Sequence, residues 1–541
     1  MKSASAATLR SDSMIVSTHL QKQLHVFGFL LAAVWVTGAA STPSTRLAGI
    51  FGDNMVLQQG GITPVWGWGQ PDLDVEVSIA GQSVRARTGP DGKWVVQLKD
   101  LPVSRVPQTL TVRAGTVITC TNVLIGDLWL GSGQSNMEWP VREISEAPAV
   151  IAAASQPSIR LFTVPRLMKA QRIDDVRGQW TVCAPQTVRD FSAVLYLFGR
   201  EIQTQTNLPL GLINSSLGGT RIELWTAPEG CAATPEFSHY ATSIRQVAER
   251  YRAALPPKLN EVEAWLLGAR AALKEGKPVP LTPDWPDHPH PEGGASILYD
   301  GMIHPLVPLA LRGVIWYQGE WNGGENDVYL RRMEALVDGW RKVWERPELP
   351  FYYVQLARMP LQDNPPWQGD PLAQTRDAQR RFMTKPGTGM ACIIDLEGNS
   401  DWHPRNKQDV SRRLALWALR NQYDQPALVP SGPLFKSMSV EGSRIRIRFD
   451  YVGPGLMIGS KNGLAPVQPL KGELARNFAI ADADRKWVSA QAVIDGADVV
   501  VYSPEVAEPV AVRYAFCQDP VGCNLYNRHG LPAVPFRTDS W

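Results

Sequence analysis

Charge of one sign is what this chain has least of. Its 54 lysines and arginines stand against 52 aspartates and glutamates, leaving +2 over 541 residues. No strong positive field is available, which excludes a nucleic-acid binder working by phosphate neutralisation. Beyond the N-terminus no segment approaches 18 uninterrupted apolar residues, so no membrane-spanning helix is expected after that point. The six cysteines Cys120, Cys183, Cys231, Cys392, Cys517 and Cys523 contain no CxxC pair and no accompanying histidine cluster, which argues against a zinc site. Internal repeats and low-complexity tracts are missing as well. Histidine is scarce, with eight in all, so few residues are available as a general base.

What is present is ordinary globular composition, with 44% hydrophobic and 20% charged residues, in a chain long enough for two or three domains. Lys22 and His25 precede VFGFLLAAVWVTGAAS, an apolar run ending in small residues. This reads as an export signal over residues 1–40, with cleavage after Ala39 or Ala40 and Met14 as an alternative start. A periplasmic or secreted protein is expected, and in that compartment Cys517 and Cys523 could bridge their short intervening loop. Tryptophan is abundant, 19 against 13 Tyr and 14 Phe. Such a surplus suits sugar-binding surfaces and β-sandwich cores alike.

Residues 46–118 carry alternating runs (DVEVSIAG, KWVVQLKD, TLTVRAGTV) separated by turn signals, and predict an N-terminal β-sandwich domain. From 119 to 430 the apolar runs VLIGDLWL, LGLINSSLG, LRGVIWYQG, PFYYVQLA and GMACIIDL alternate with helical segments, predicting an α/β domain with a parallel sheet. A helical, then Pro-rich excursion at about 227–296 reads as an insertion near the active face. Residues 431–541 return to a strand pattern and predict a C-terminal β domain.

In open α/β sheets ligands bind outside the carboxyl ends of the strands. Four polar loops follow predicted strands: GQSNM at 133, SLGGTRIELW at 216, YQGEWNGG at 317 and SDWHPRNKQ at 400. Acyl transfer needs a nucleophile, a base and oxyanion donors. Ser135, between a buried strand and a helix start, is the candidate nucleophile. His403 alone among the histidines occupies a post-strand loop of the α/β region, and Asp401 lies beside it. Position 137 is Met, so the stretch is not a G-x-S-x-G elbow.

The blocks GDLWLGSGQSNMEWP, INSSLGGTRIELW, WYQGEWN and DWHPRNKQDV, with FGDNMVLQQGGITPVWGWGQP and NLYNRHGLPAVPFRTD near the ends, resemble the SGNH hydrolase superfamily. Within it they look like the sialate O-acetylesterase-like carbohydrate acetylesterases. The resemblance implies a flavodoxin-like three-layer α/β sandwich and a cofactor-free, metal-free ester hydrolysis of acetylated carbohydrate. It implies Ser135 as nucleophile, His403 as base, and the Ser135 N–H, the Gly219 N–H and the Gln318 amide as oxyanion donors. Gln318 stands where many of these enzymes carry Asn. Their usual acid lies three residues before the histidine, where this chain has Ser400; Asp401 lies two before it, with Asp395 or a backbone carbonyl as the alternatives.

Trp139, Trp321 and Trp402 adjoin these loops and are candidates for the floor of a sugar site. Arg221 is either a carboxylate-binding group or the partner of Glu223. Glu320 and Asn322 either brace the Gln318 loop or are solvated. Asp127 and Glu138 would be the pair of a glycosidase reading, which the buried strand around Asp127 disfavours. Acetylated plant polysaccharide and O-acetylated sialic acid both remain as substrates. The competing reading from another class is a non-catalytic carbohydrate-binding protein with a degenerate core.

Overall fold

The architecture is organised by one strand. Every residue from Val123 to Gly133 is buried in strand β1 (Thr116–Gly133), which forms the middle of a parallel sheet with β2 (Gln156–Thr163), β3 (Leu210–Ser216), β4 (Gly313–Tyr317), β5 (Phe351–Val354) and β6 (Thr388–Ala391). Their spatial order is β2-β3-β1-β4-β5-β6, all pairs parallel, with the antiparallel strand Thr181–Cys183 at the edge beside β2. The computed structural model describes residues 45–284, 291–361, 364–396 and 402–541. The export-signal segment lies outside them, as does the His288–His290 part of the Pro-rich stretch.

Parallel strands need both faces covered, and the alternation of side chains sorts them. Leu128, Leu130, Ile213, Val314, Trp316, Phe351 and Tyr353 face one cluster. There helix α4 (Asp327–Val343) brings Tyr329, Met333, Leu336, Val337 and Trp340, an i, i+4, i+7, i+8, i+11 stripe, and α5 (Pro371–Phe382) adds Phe382. Trp129, Leu212, Ile315, Tyr317, Tyr352 and Val354 face the other cluster, closed by α2 (Ala193–Thr206) and α6 (Lys407–Gln422). The short turn of helix α1 (Ser135–Glu138) follows β1 directly. The insertion contains the long helix α3 (Ser238–Lys274).

The expected strand alternation over 46–118 is present, as in Lys93–Lys99, where every second residue is buried. These strands are not walled off from the α/β region. Ser104–Ala114 pairs antiparallel and Val56–Gln58 parallel with β1 itself, making an 11-stranded mixed sheet. After α6 the chain forms further small sheets around a separate hydrophobic cluster that includes Ile447, Val499, Val512 and Phe536. All six cysteines are thiols. Cys517 and Cys523 are not bridged, because the loop between them is pinned elsewhere: Asp519 pairs with Arg358 at 2.7 Å and its N–H donates to Asn364. No described helix is long and apolar enough to cross a membrane.

β1 lies where the chain turns from one side of the sheet to the other, β2 and β3 on one flank and β4 to β6 on the other, so the crevice of the sheet opens at its carboxyl end. Gly133 makes that end narrow. Its φ is +135° and a Cβ there would lie 2.2 Å from the Tyr317 carbonyl oxygen of β4. Gly133→Ala combines a strained backbone with a backbone clash and is expected to cost roughly 2–4 kcal/mol. A thermal melt indistinguishable from wild type would mean that the two strand ends do not approach this closely.

Candidate active site

Four loops converge at the carboxyl ends of β1, β3, β4 and in front of α6. Ser135 Oγ lies 2.8 Å from His403 Nε2. The imidazole is stacked on the Trp139 indole, centroids 4.5 Å apart and planes 21° from parallel. Trp139 is thus the neighbour of the histidine first, rather than only a wall of the sugar site as its position in the sequence suggested. Asp401 lies outside the described residues. The alternative acid, Asp395, is spoken for: buried, it accepts from Arg413 Nη1 at 2.6 Å and Nη2 at 2.8 Å.

The donors expected around an oxyanion fall into two groups. Ser135 begins α1 and Gly219 sits in the loop after β3 with φ +71°. Among the described residues neither of their N–H groups has an acceptor. Gln318 differs from expectation. It is fully buried, and its amide nitrogen donates to the Thr220 carbonyl at 3.1 Å and to Asn322 Oδ1 at 2.8 Å, while its Oε1 accepts from Tyr329 at 3.1 Å. Both amide protons are committed away from Ser135. Gln318 braces the loop that carries Gly219 because its side chain points inward beneath the sheet end. Glu138 works on the same loop from the other side, one oxygen accepting the Gly218 N–H at 2.8 Å and the other pairing with Arg166 at 2.5 Å.

Glu320, read from the sequence as either a loop brace or a solvated residue, reaches the nucleophile turn. One carboxylate oxygen accepts from Gln134 Nε2 at 2.5 Å and the other from Asn136 Nδ2 at 2.6 Å. Burial raises its pKa, an effect opposed by hydrogen bonds to its own and the Gly319 N–H, by the Asn136 amide and by the Lys407 ammonium. Asn136 also donates to the Trp402 carbonyl at 2.9 Å and accepts from Lys407 Nζ. The sequence carried a signal for this: an acidic residue after a strand, with two amides flanking the serine and a lysine four residues after the histidine. Arg221 is an ion-pair member, bonded to Glu223 at 2.7 Å and to Glu325, and Asn322 extends that cluster by donating to Glu223 and Glu325.

Two pockets meet at Ser135. One, of about 500 Å³, is lined by Gln134, Gly219, Glu320, Trp321, Gly323, Trp402 and His403, with Trp321 60% and Trp402 39% exposed. The other, of about 400 Å³, is polar and lined by Glu138, Trp139, Arg142, Glu143, Arg166 and Asp190 among others. Asp127 takes no part: it is buried against Gln58 and Gln59, so no carboxylate pair of the glycosidase kind faces the pockets from it. Replacing Gln318 by Ala would leave Thr220 O, Asn322 Oδ1 and the Tyr329 hydroxyl short of partners, and unfolding should become easier by about 1–3 kcal/mol. A wild-type melting temperature accompanied by lost turnover would return Gln318 to the oxyanion.

A serine beside a histidine at the mouth of a pocket, flanked by unengaged backbone donors, is the apparatus of acyl transfer. Comparison with known proteins agrees. Residues 292–410 match a family described as carbohydrate esterase, sialic acid-specific acetylesterase. The sialate O-acetylesterase of Mus musculus is 28% identical over 94% of this chain and 97% of its own, and that of Homo sapiens 27% over 94% and 96%. The crystal structure of a carbohydrate acetylesterase from Xanthomonas citri superposes with a TM-score of 0.75 at 33% identity, covering 92% of this chain and 100% of that one. With a solved relative matched along its whole length and the nucleophile turn of β1 in place, the chain belongs to the SGNH-type, sialate O-acetylesterase-like carbohydrate esterases and is a carboxylic ester hydrolase.

Proposed function

We propose that the protein is an exported carbohydrate O-acetylesterase working through a Ser135–His403–Asp401 acyl-enzyme mechanism. The observation that carries the reading is the 2.8 Å contact from Ser135 Oγ to His403 Nε2 beside two unengaged N–H groups. Ser135 Oγ attacks the acetyl carbonyl as His403 Nε2 takes its proton, and the oxyanion is held by the Ser135 and Gly219 N–H groups. The tetrahedral intermediate collapses, the sugar oxygen leaves with the proton from His403, and acetyl remains on Ser135. Water then attacks with His403 as base, releasing acetate and restoring the serine. The indole beneath His403 favours the transient imidazolium through its ring face. Asp401 is assigned the orientation of the imidazole because Asp395 already holds Arg413.

Among substrates, the names of the mammalian relatives point to O-acetylated sialic acid. The charge around Ser135 favours an acetyl ester on a neutral polysaccharide. A sialate carboxylate wants an available cation, yet the two arginines lining the polar pocket and Arg221 already have acidic partners: Arg142 with Glu143 and Asp190, Arg166 with Glu138, Arg221 with Glu223 and Glu325. The exposed faces of Trp321 and Trp402 suit the apolar face of a pyranose. The β regions at 46–118 and 431–541, taken as flanking sandwich domains, would widen the surface for a long glycan.

Acetate release from acetylated xyloglucan, xylan, pectin and sialic acid tests this directly. Ser135→Ala should lose activity on every substrate, by up to about 10⁶-fold, with the fold intact. Wild-type kcat/KM should favour a neutral polysaccharide over the sialate by at least about tenfold, roughly 1.4 kcal/mol. A preference for sialate would overturn the neutral reading, and full activity in Ser135→Ala would overturn the mechanism.

A further inference from the structure

The reaction above uses Ser135, His403 and backbone donors, and leaves unexplained why the nucleophile is flanked by two amides and why those amides meet a carboxylate and a buried ammonium. We propose that Glu320 and Lys407 are positioning residues: a half-buried carboxylate and a buried ammonium that, through the Asn136 amide, lock the nucleophile turn to the histidine loop. The inference rests on the acyl-enzyme reading of the site.

Each bond has a directional consequence. The Asn136 amide is saturated: its nitrogen donates to Glu320 Oε1 at 2.6 Å and to the Trp402 carbonyl at 2.9 Å, and its oxygen accepts from Lys407 Nζ. A carboxylate on the nitrogen side and an ammonium on the oxygen side allow only one orientation of that amide. Trp402 precedes His403, so the bond to its carbonyl ties the backbone beside the base to the residue after the nucleophile. Glu320 Oε2 meanwhile fixes Gln134, the residue before the nucleophile, at 2.5 Å. Ser135 is thereby held from both sides by one carboxylate from the loop after β4, and His403 is referred to the same carboxylate through Asn136. Lys407 is fully buried in the first turn of α6 and lies 5.2 Å from the Tyr317 ring centroid. Glu320 lines the pocket beside Ser135, but both its oxygens are engaged by Gln134 and Asn136, so the pair acts on where the reacting atoms stand.

Geometry held this way enters turnover rather than binding, since an error near 1 Å in a reacting atom can cost about 10²-fold. Glu320→Gln keeps the size but turns an N–H group toward one of two amide donors, and Lys407→Met removes the opposite charge. Each is expected to lower kcat on an acetyl ester by about 100-fold while KM stays within about threefold, in protein whose near-UV circular dichroism matches wild type. Because the pair acts as a unit, the double variant should be no more than a few-fold slower than the worse single one. Lys407→Met supplies the reading if Glu320→Gln does not fold. A folded Glu320→Gln or Lys407→Met with kcat within threefold of wild type overturns the proposal, and so do losses that multiply in the double variant. Absence of esterase activity in the wild type would instead sink the function proposed above, which keeps the two failures distinct.

Discussion

A hydrogen bond 2.8 Å long joins residues 268 positions apart in the chain, and the rest of the molecule is arranged around keeping it. Ser135 Oγ and His403 Nε2 come from opposite ends of the α/β region, one from the turn after the central strand and the other from the loop before the last helix. Side chains this short meet only if their backbones are held to within a fraction of an ångström. The parallel sheet provides the coarse placement, because β1 ends at the point where its neighbours diverge in connection. The close pass of Gly133 over the Tyr317 carbonyl provides the next level, and it is available only to a residue without a Cβ.

The finest level is polar. Three loops are cross-bonded through polar side chains: Glu320 on the amides around the serine, Glu138 on the Gly218 N–H, and the buried Gln318 on the Thr220 carbonyl. An unpaired polar group buried here would be costly, so each bond also stabilises the fold. The C-terminal region adds to this framework. Lys461 pairs with Asp409 at 2.6 Å, and the Gly463 carbonyl accepts from Asn406, the N-cap of the helix that follows His403. The late strands are therefore bonded to the base of the histidine loop.

Much of this was legible before the fold. The helices at 407–422 and 327–343 follow from their apolar spacing, and three of the four polar loops follow from the strands they terminate, whereas the strand before the histidine loop ends at Ala391, short of the IIDL run. The strand Gln156–Thr163 was harder to read, because Arg160 interrupts its apolar pattern; the guanidinium is buried and donates to the Asn54 and Asn122 carbonyls. Side-chain direction inside irregular loops was the least accessible. Gln318 reads as an oxyanion donor and points inward, Trp139 reads as a sugar floor and stacks on His403, and Arg221 is held by two glutamates. Periodicity assigns faces within helices and strands and is silent where neither period applies. Charge complementarity was the unused signal: Glu320 and Lys407 lie in two of the polar loops and the amides Gln134 and Asn136 in a third, and charges taken out of water must find partners.

The central claim is that Ser135 is the nucleophile of this hydrolase, and covalent capture tests it without reference to any sugar. Treatment of the intact protein with a fluorophosphonate, followed by mass spectrometry of the whole chain and of its peptides, should show a single adduct on Ser135, formed as the serine oxygen displaces fluoride. His403→Ala should slow that reaction by orders of magnitude, since the serine loses its base. An unmodified protein, or an adduct on another residue formed equally fast without His403, would contradict the account.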